Sequence, residues 1–338
     1  MKHFTRALIT GSALFALTLA GCQASDQIKI SNDANQIKIG NDASKEEIAA
    51  IMKDAISFAK STSGSGSPKL WTYADEDTTV YLFGTVHLLK PDLEWKTSTL
   101  TQALREADTL VLEADIKSPE SLAAIQKLVA EYGAFSDGKT LSSVLDEEEK
   151  AIVTEALTSA GIPMKTIEPL KPWMVGLQLG VLQMMKGGYD PQSGVEQVLL
   201  SDPSMANKKL SYLESAETQI QALGGASIDE QIQGLIATIS TLELGNDYLD
   251  TLVDEWADGD VEGIGAMMSN PALYGSESAH DMLLTNRNES WVAPLKELLN
   301  GPGIKLVAVG AGHLAGPDSV IKMLEDEGLK IHIVASQS

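Results

Sequence analysis

"KLVAVGAGHLAGPD", residues 305–318, opens with an apolar run, Leu306 to Val309, then meets Gly310, Ala311 and Gly312 and delivers His313. A short apolar run bounded by glycine is the pattern of a strand buried on both faces. "VYLFGTVHLLKPD", residues 80–92, follows the same template, G-x-x-H-L-x-x-P-D. Gly84, His87, Leu88, Pro91 and Asp92 match Gly310, His313, Leu314, Pro317 and Asp318. A shared strand-to-helix turn accounts for the Gly, Pro and Asp, since Pro and Asp suit a helix start. It does not account for two histidines in one frame.

Further strands lie around these two. "KLWTYADEDTTVYLFGTVH" reads as a pair of strands joined by the polar turn at Asp75 to Asp77. "TLVLEAD" (109–115), "KKLSYLES" (208–215) and "LKIHIVAS" (329–336) are the others. Helices separate them. One starts with Ser118 as cap and Pro119 at its first position and stops at Gly133. Another carries a capping box, Ser227 and Glu230, and stops at Gly245. More are predicted over residues 247–258, 280–299 and 317–327. Strands alternating with helices predict an α/β fold: a largely parallel sheet, an antiparallel hairpin at its start, and an inserted helical cap over about 140–200.

The amino terminus reads differently. Lys2 and Arg6 precede an apolar segment, Ala7 to Leu19, that is short for a bilayer span and fits a secretory signal, residues 1–21. "LAGC", Leu19 to Cys22, resembles a bacterial lipobox, and Cys22 is the only cysteine of the chain. Cys22 is therefore expected to carry acyl chains that hold the protein on a membrane. Gln23 follows it, where an Asp would resemble an inner-membrane retention signal, so the expected location is the cell envelope, on an outer membrane facing the periplasm. Residues 22–67 read as a tether. "QIKISNDAN" and "QIKIGNDAS" form a tandem near-repeat, a helix follows with Ser44 and Glu47 as its capping box, and "STSGSGSP" forms a linker. The folded domain is expected to span 68–338. The net charge is −22 over 338 residues, which excludes nucleic acid as the main partner.

Open α/β sheets place their sites beyond the carboxyl ends of the strands. The ionisable residues at those ends are His87, Glu113, Glu214 and His313. Two imidazoles and a carboxylate make a ligand set for a divalent first-row ion, with zinc, manganese and cobalt as the candidates. The same residues allow a route without metal, one histidine acting as general base and a glutamate orienting it. No G-x-S-x-G elbow or nucleophilic cysteine is visible, so covalent acyl transfer has no nucleophile here.

At these residues the chain resembles the TraB/GumN family, which includes the Tiki proteases and is distantly similar to ChaN and the erythromycin esterases. The marks are Gly84–His87, Gly310–His313, Glu113 and Arg287, with Asn288 and Trp291 after the arginine. "KPW" at 171–173, "LES" at 213–215 with Gln219 beyond it, and "EWADGD" at 255–260 extend the likeness over about 69–335. The resemblance implies a metal-dependent hydrolase acting on a peptide bond, with His87, Glu113 and His313 on the ion and Glu214 as a second carboxylate. It also implies that Arg287 stabilises an oxyanion or clamps a substrate carboxylate, with Asn288 on the same substrate group or capping a turn. The ChaN-like relatives imply instead a haem- or metal-binding protein without turnover. The branch named for polysaccharide gene clusters implies an accessory factor with no site chemistry.

Overall fold

A computed structural model describes residues 44–335. The signal segment, Cys22 and all but the last residue of the tandem repeat lie outside the described residues. The first element is helix α1 (Lys45–Ala59). Its capping box forms as the spacing predicts: Glu47 N–H donates to Ser44 Oγ at 3.2 Å, and Ser44 N–H donates to the Glu47 carboxylate at 2.8 Å. Ile48, Met52, Ala55, Ile56 and Ala59 are buried along one face. That face packs on two later helices, Ile228–Glu243 and Val261–Met268. The linker is tied down as well, with Gly64 N–H donating to the Asp258 carboxylate at 2.6 Å and Ser65 N–H to the Asp258 carbonyl at 2.8 Å. The sequence places α1 in a tether ahead of a domain starting at 68; the structure builds it into the core. An apolar helical stripe has to be covered, and the pattern alone does not say by what.

The strands are β1 (Leu70–Ala74), β2 (Thr78–Thr85), β3 (Thr109–Leu112), β4 (Lys209–Tyr212), β5 (Gly303–Gly310) and β6 (His332–Ile333). They form one sheet in the order β4-β3-β5-β2-β1-β6. The pairs β4–β3, β3–β5 and β5–β2 are parallel, while β1 runs antiparallel to β2 and to β6. The predicted sheet and its opening hairpin are present. The closing strand is a two-residue edge, shorter than its apolar run suggests.

Register explains why the two histidine frames matter. In the parallel β2–β5 pair, Gly84 lies opposite Val309 and Thr85 opposite Gly310. The two G-x-x-H frames therefore leave the sheet side by side, offset by one position. Leu112 pairs with both Ala308 and Tyr212, so Glu113 and Glu214 leave at the same edge. Helices flank the sheet: α2 (Ser98–Glu106), α3 (Pro119–Tyr132), α4 (Glu147–Ala160), α5 (Pro172–Lys186), α6 (Val195–Leu200), α7 (Ala216–Gly224), α8 (Ile228–Glu243), α9 (Asp247–Asp258), α10 (Val261–Met268), α11 (Asn286–Glu297) and α12 (Val320–Asp326). The cover over the carboxyl edge comes from α5 and from the α8–α9 region, so it reaches beyond the expected 140–200.

Candidate active site at the carboxyl edge of the sheet

The buried Arg287 of α11 organises the edge. A guanidinium carries five N–H donors in a rigid fork. Here Nε donates to both Glu214 oxygens at 3.1 and 3.2 Å, and Nη2 donates to Glu113 Oε2 and Glu214 Oε1, each at 2.7 Å. Nη1 donates to the Leu283 carbonyl at 2.9 Å and lies 3.0 Å from His313 Nε2. Leu283 sits in a π-helical turn, Asp281–Thr285, immediately before α11, which breaks the helix predicted over 280–299. π-turns are rare and recur at functional sites. All five donors meet protein acceptors, so Arg287 has none left for a substrate oxygen. It holds Glu113, Glu214 and His313 in place, and the expected oxyanion or clamp role is not supported by this geometry.

His313 is held from both sides. Asn288 Nδ2 donates to the Asp318 carbonyl at 2.7 Å, which turns Asn288 Oδ1 toward His313 Nδ1 at 2.6 Å. The proton therefore sits on Nδ1, and Nε2 accepts from Arg287. Asn288 orients a histidine rather than a substrate or a turn. Trp291 is fully buried, as expected of a core residue, yet its indole N–H also donates to Glu214 at 3.1 Å and its ring lies 4.4 Å from the His313 ring.

His87 has a different partner. Its Nδ1 lies 2.7 Å from Glu196 Oε1 on α6, and Thr85 donates its hydroxyl to the same carboxylate. Glu196 was not legible as a site residue, because it lies in a short helix among Val195, Leu199 and Leu200 with no motif around it. The local reason it arrives here is backbone contact. Asp190 N–H donates to the Leu89 carbonyl at 2.9 Å, and Val195 N–H donates to the Val86 carbonyl at 3.0 Å. Gly194 makes this approach possible, since a Cβ there would fall 2.0 Å from the His87 carbonyl oxygen. Gln219, also buried, donates to Glu113 Oε2 at 3.0 Å, and its own Oε1 has no partner among the described residues. Gly310 N–H completes the Glu113 shell at 2.7 Å.

Two cavities meet at His87 and Glu113. A small one of about 20 Å³ is bounded by His87, Glu113, Glu196 and Gln219. The other, about 140 Å³, reaches from His87, Glu113, Arg287 and His313 up to Met184, Leu249, Leu252 and Trp256 of the helical cover. His87 and His313 thus face one space, as their shared frame predicts.

The charges are strongly perturbed. Burial works against the Glu113 carboxylate, yet Arg287, the two histidines and the Gly310 N–H hold its pKa at about 2. Burial and the neighbouring Arg287 bring His313 down to about 3, so it stays neutral. Burial pushes Glu214 up, with Glu113 nearby, in spite of Arg287. Burial would lower His87, but the charge and hydrogen bond of Glu196 outweigh it and raise the imidazole above its ordinary value. One edge therefore carries a neutral histidine and a readily protonated one.

The sequence model of the TraB/PrgY/gumN family matches residues 69–333. The chain belongs to this family. Among its relatives, the uncharacterized protein YbaP of Escherichia coli (strain K12) is 24% identical over 244 residues, 72% of this chain and 87% of that protein. An uncharacterized protein of Treponema pallidum (strain Nichols) is 23% identical over 273 residues, 77% of this chain and 80% of that protein. No solved structure is significantly similar to the chain.

In this member of the TraB/PrgY/gumN family the donor set does not fit the expected metal ion. The two His313 nitrogens are engaged by Arg287 and Asn288, and both Glu113 oxygens are engaged by N–H donors. Among the described residues, no group of three or more His, Cys, Asp or Glu could hold a metal ion. The Arg287 guanidinium occupies the cationic position between the carboxylates.

Proposed function

We propose that this TraB/PrgY/gumN protein is an envelope hydrolase, lipid-anchored through Cys22, that cleaves a peptide bond with His87 as its general base. The observation that carries the reading is the His87–Glu196 pair, set between a cavity of water size and an apolar cavity. About 10–15 Å³ admits one water, provided two or more polar groups face it. The 20 Å³ cavity meets both conditions, with Gln219 Oε1 as an acceptor in need of a donor. In the proposed step His87 takes a proton from that water, and the water oxygen bonds to the substrate carbonyl carbon. The C–N bond then breaks, and the proton on His87 passes to the departing amine. Glu196 stabilises the imidazolium in between. Arg287, Glu113, Glu214, Asn288 and His313 act as a rigid wall that holds the strand ends in position. The apolar cavity is smaller than the roughly 300–1,000 Å³ of pockets that enclose a whole small molecule. That favours entry of one substrate side chain over a haem macrocycle.

A fluorogenic peptide library, assayed with and without chelator, tests this. The expected result is turnover that survives the chelator and falls at least about 10²-fold in Glu196→Gln and His87→Gln, both melting like the wild type. Turnover that needs an added metal, or an active His87→Gln, would sink the proposal.

A further inference from the structure

The apolar cavity beside His87 is selective in what it can take. It measures about 140 Å³. A dry protein cavity of about 150 Å³ lined by Leu, Ile and Phe holds one benzene ring. Here the floor is the carboxyl edge of the sheet. The walls are Met184 of α5, Leu249, Leu252, Val253 and Trp256 of α9, and Met268 of α10. Glu113 and Arg287, the carboxylate and guanidinium of the floor, pair with each other at 2.7 Å. The polar groups of the walls are committed as well. The Thr241 hydroxyl donates to the Ala237 carbonyl at 3.0 Å, the Tyr248 hydroxyl to the Met267 carbonyl at 3.3 Å, and the Trp256 indole N–H to the Gly84 carbonyl at 2.9 Å. With those donors spent, a charged group pushed between these walls would lie unpaired, at a high cost.

The cavity is also preformed. Leu249, Leu252 and Met268 are half-buried and make its mouth. Asp250, between the two leucines, accepts from Lys90 at 2.7 Å and from the Tyr189 hydroxyl at 2.6 Å. That fixes α9 over the segment that follows His87, so an occupant pays little to order its site. The flexible thioethers of Met184 and Met268 let one cavity fit isobutyl, thioether and benzyl shapes. We propose that this cavity is the specificity pocket of the hydrolase. It receives one side chain of leucine, methionine or phenylalanine, from a residue flanking the cleaved bond, and rejects charged side chains and the larger indole of tryptophan. The proposal rests on the hydrolase reading for its substrate, while the pocket itself is testable without turnover.

Two measurements on the full chain in detergent test it. In the fluorogenic peptide library, Leu, Met or Phe at one position flanking the cleaved bond should raise kcat/KM at least about tenfold over Ala, Lys, Asp and Trp, the scale of one methylene or more in an apolar pocket. Saturation-transfer NMR with the N-acetyl amides of phenylalanine, tryptophan and lysine reads the pocket directly, and only the phenylalanine amide is expected to bind. Leu249→Trp, which fills the mouth, should abolish that binding. Leu252→Ala, which widens it, should admit the tryptophan amide. Met185→Ala, at an exposed apolar site outside the cavity, should change neither. Should Leu252→Ala melt below the wild type, Leu249→Trp decides alone. If no peptide is cleaved, the hydrolase reading fails and amide binding decides for the pocket. Turnover without preference at either flanking position, equal binding of the lysine amide, or phenylalanine amide binding that survives Leu249→Trp overturns the proposal.

Discussion

Arg287 shows how a single residue can decide whether an edge full of carboxylates is stable. It places one positive charge between Glu113 and Glu214, giving Nε and Nη2 to the two carboxylates and Nη1 to the Leu283 carbonyl and His313. Removing one partner of a buried charged network leaves the others uncompensated, at about 3–5 kcal/mol. Arg287→Ala should therefore lower the melting midpoint by about 10 °C, read by circular dichroism. Arg287→Met combined with Glu113→Gln and Glu214→Gln should recover most of that loss, because no unpaired charge remains. Equal loss in both variants would mean the network is not the cause. The pH response has a definite sign. Glu113 has a folded pKa of about 2 against an ordinary 4.5, so its contribution is present above 4.5 and fades as pH falls toward 2. His313 has a folded pKa of about 3 against 6.5, so the unfolded chain takes up that proton first and stability falls from 6.5 downward. Burial lowers His280 as well, which adds to the same window. Urea midpoints should thus decline between pH 6.5 and 4.5, and His313→Gln should flatten part of that slope.

Elements carry the next level of information, and they were unevenly readable. The β2 and β5 strands could be read from apolar runs that end in glycine, and their matching frames anticipated that the histidines would face one space. Side-by-side pairing made that true, since neighbouring parallel strands in near-register release their next residues together. Glu196 could not be read this way. It reaches His87 through a backbone contact between residues about a hundred positions apart, and no local pattern records that. Nor could the sequence say that Arg287 would be consumed by protein acceptors, since side-chain partners depend on the fold. Helix α1 is legible as a helix but not as part of the core, because periodicity reports an apolar face without naming its cover. Met52 is fully buried and Ile48 nearly so. Met52→Ala should cost about 2–5 kcal/mol in chemical denaturation, and removing residues 44–67 should cost more. A deletion that melts with the wild type would return this helix to the tether.

At the scale of the whole molecule, the proposed envelope location asks what would hold an acidic globular body at a membrane. No helix among the described residues is long and apolar enough to cross one. A net charge of −22 repels anionic headgroups, so surface attraction offers no substitute for an anchor. The proposed anchor is Cys22, ahead of every described residue. One acyl chain binds only marginally, whereas two or more at one site hold stably, each buried CH₂ contributing about 0.8 kcal/mol. Loss of the single thiol should therefore move the protein from membrane to soluble fractions in one step, with no intermediate affinity. Phase partitioning in a cloud-point detergent measures this directly: wild type is expected in the detergent phase, and Cys22→Ala in the aqueous phase with an unchanged melting midpoint. A fall in stability alongside the shift would point to misfolding instead. Mature wild type found in the aqueous phase would remove the lipid anchor from this account and leave the hydrolase site untouched.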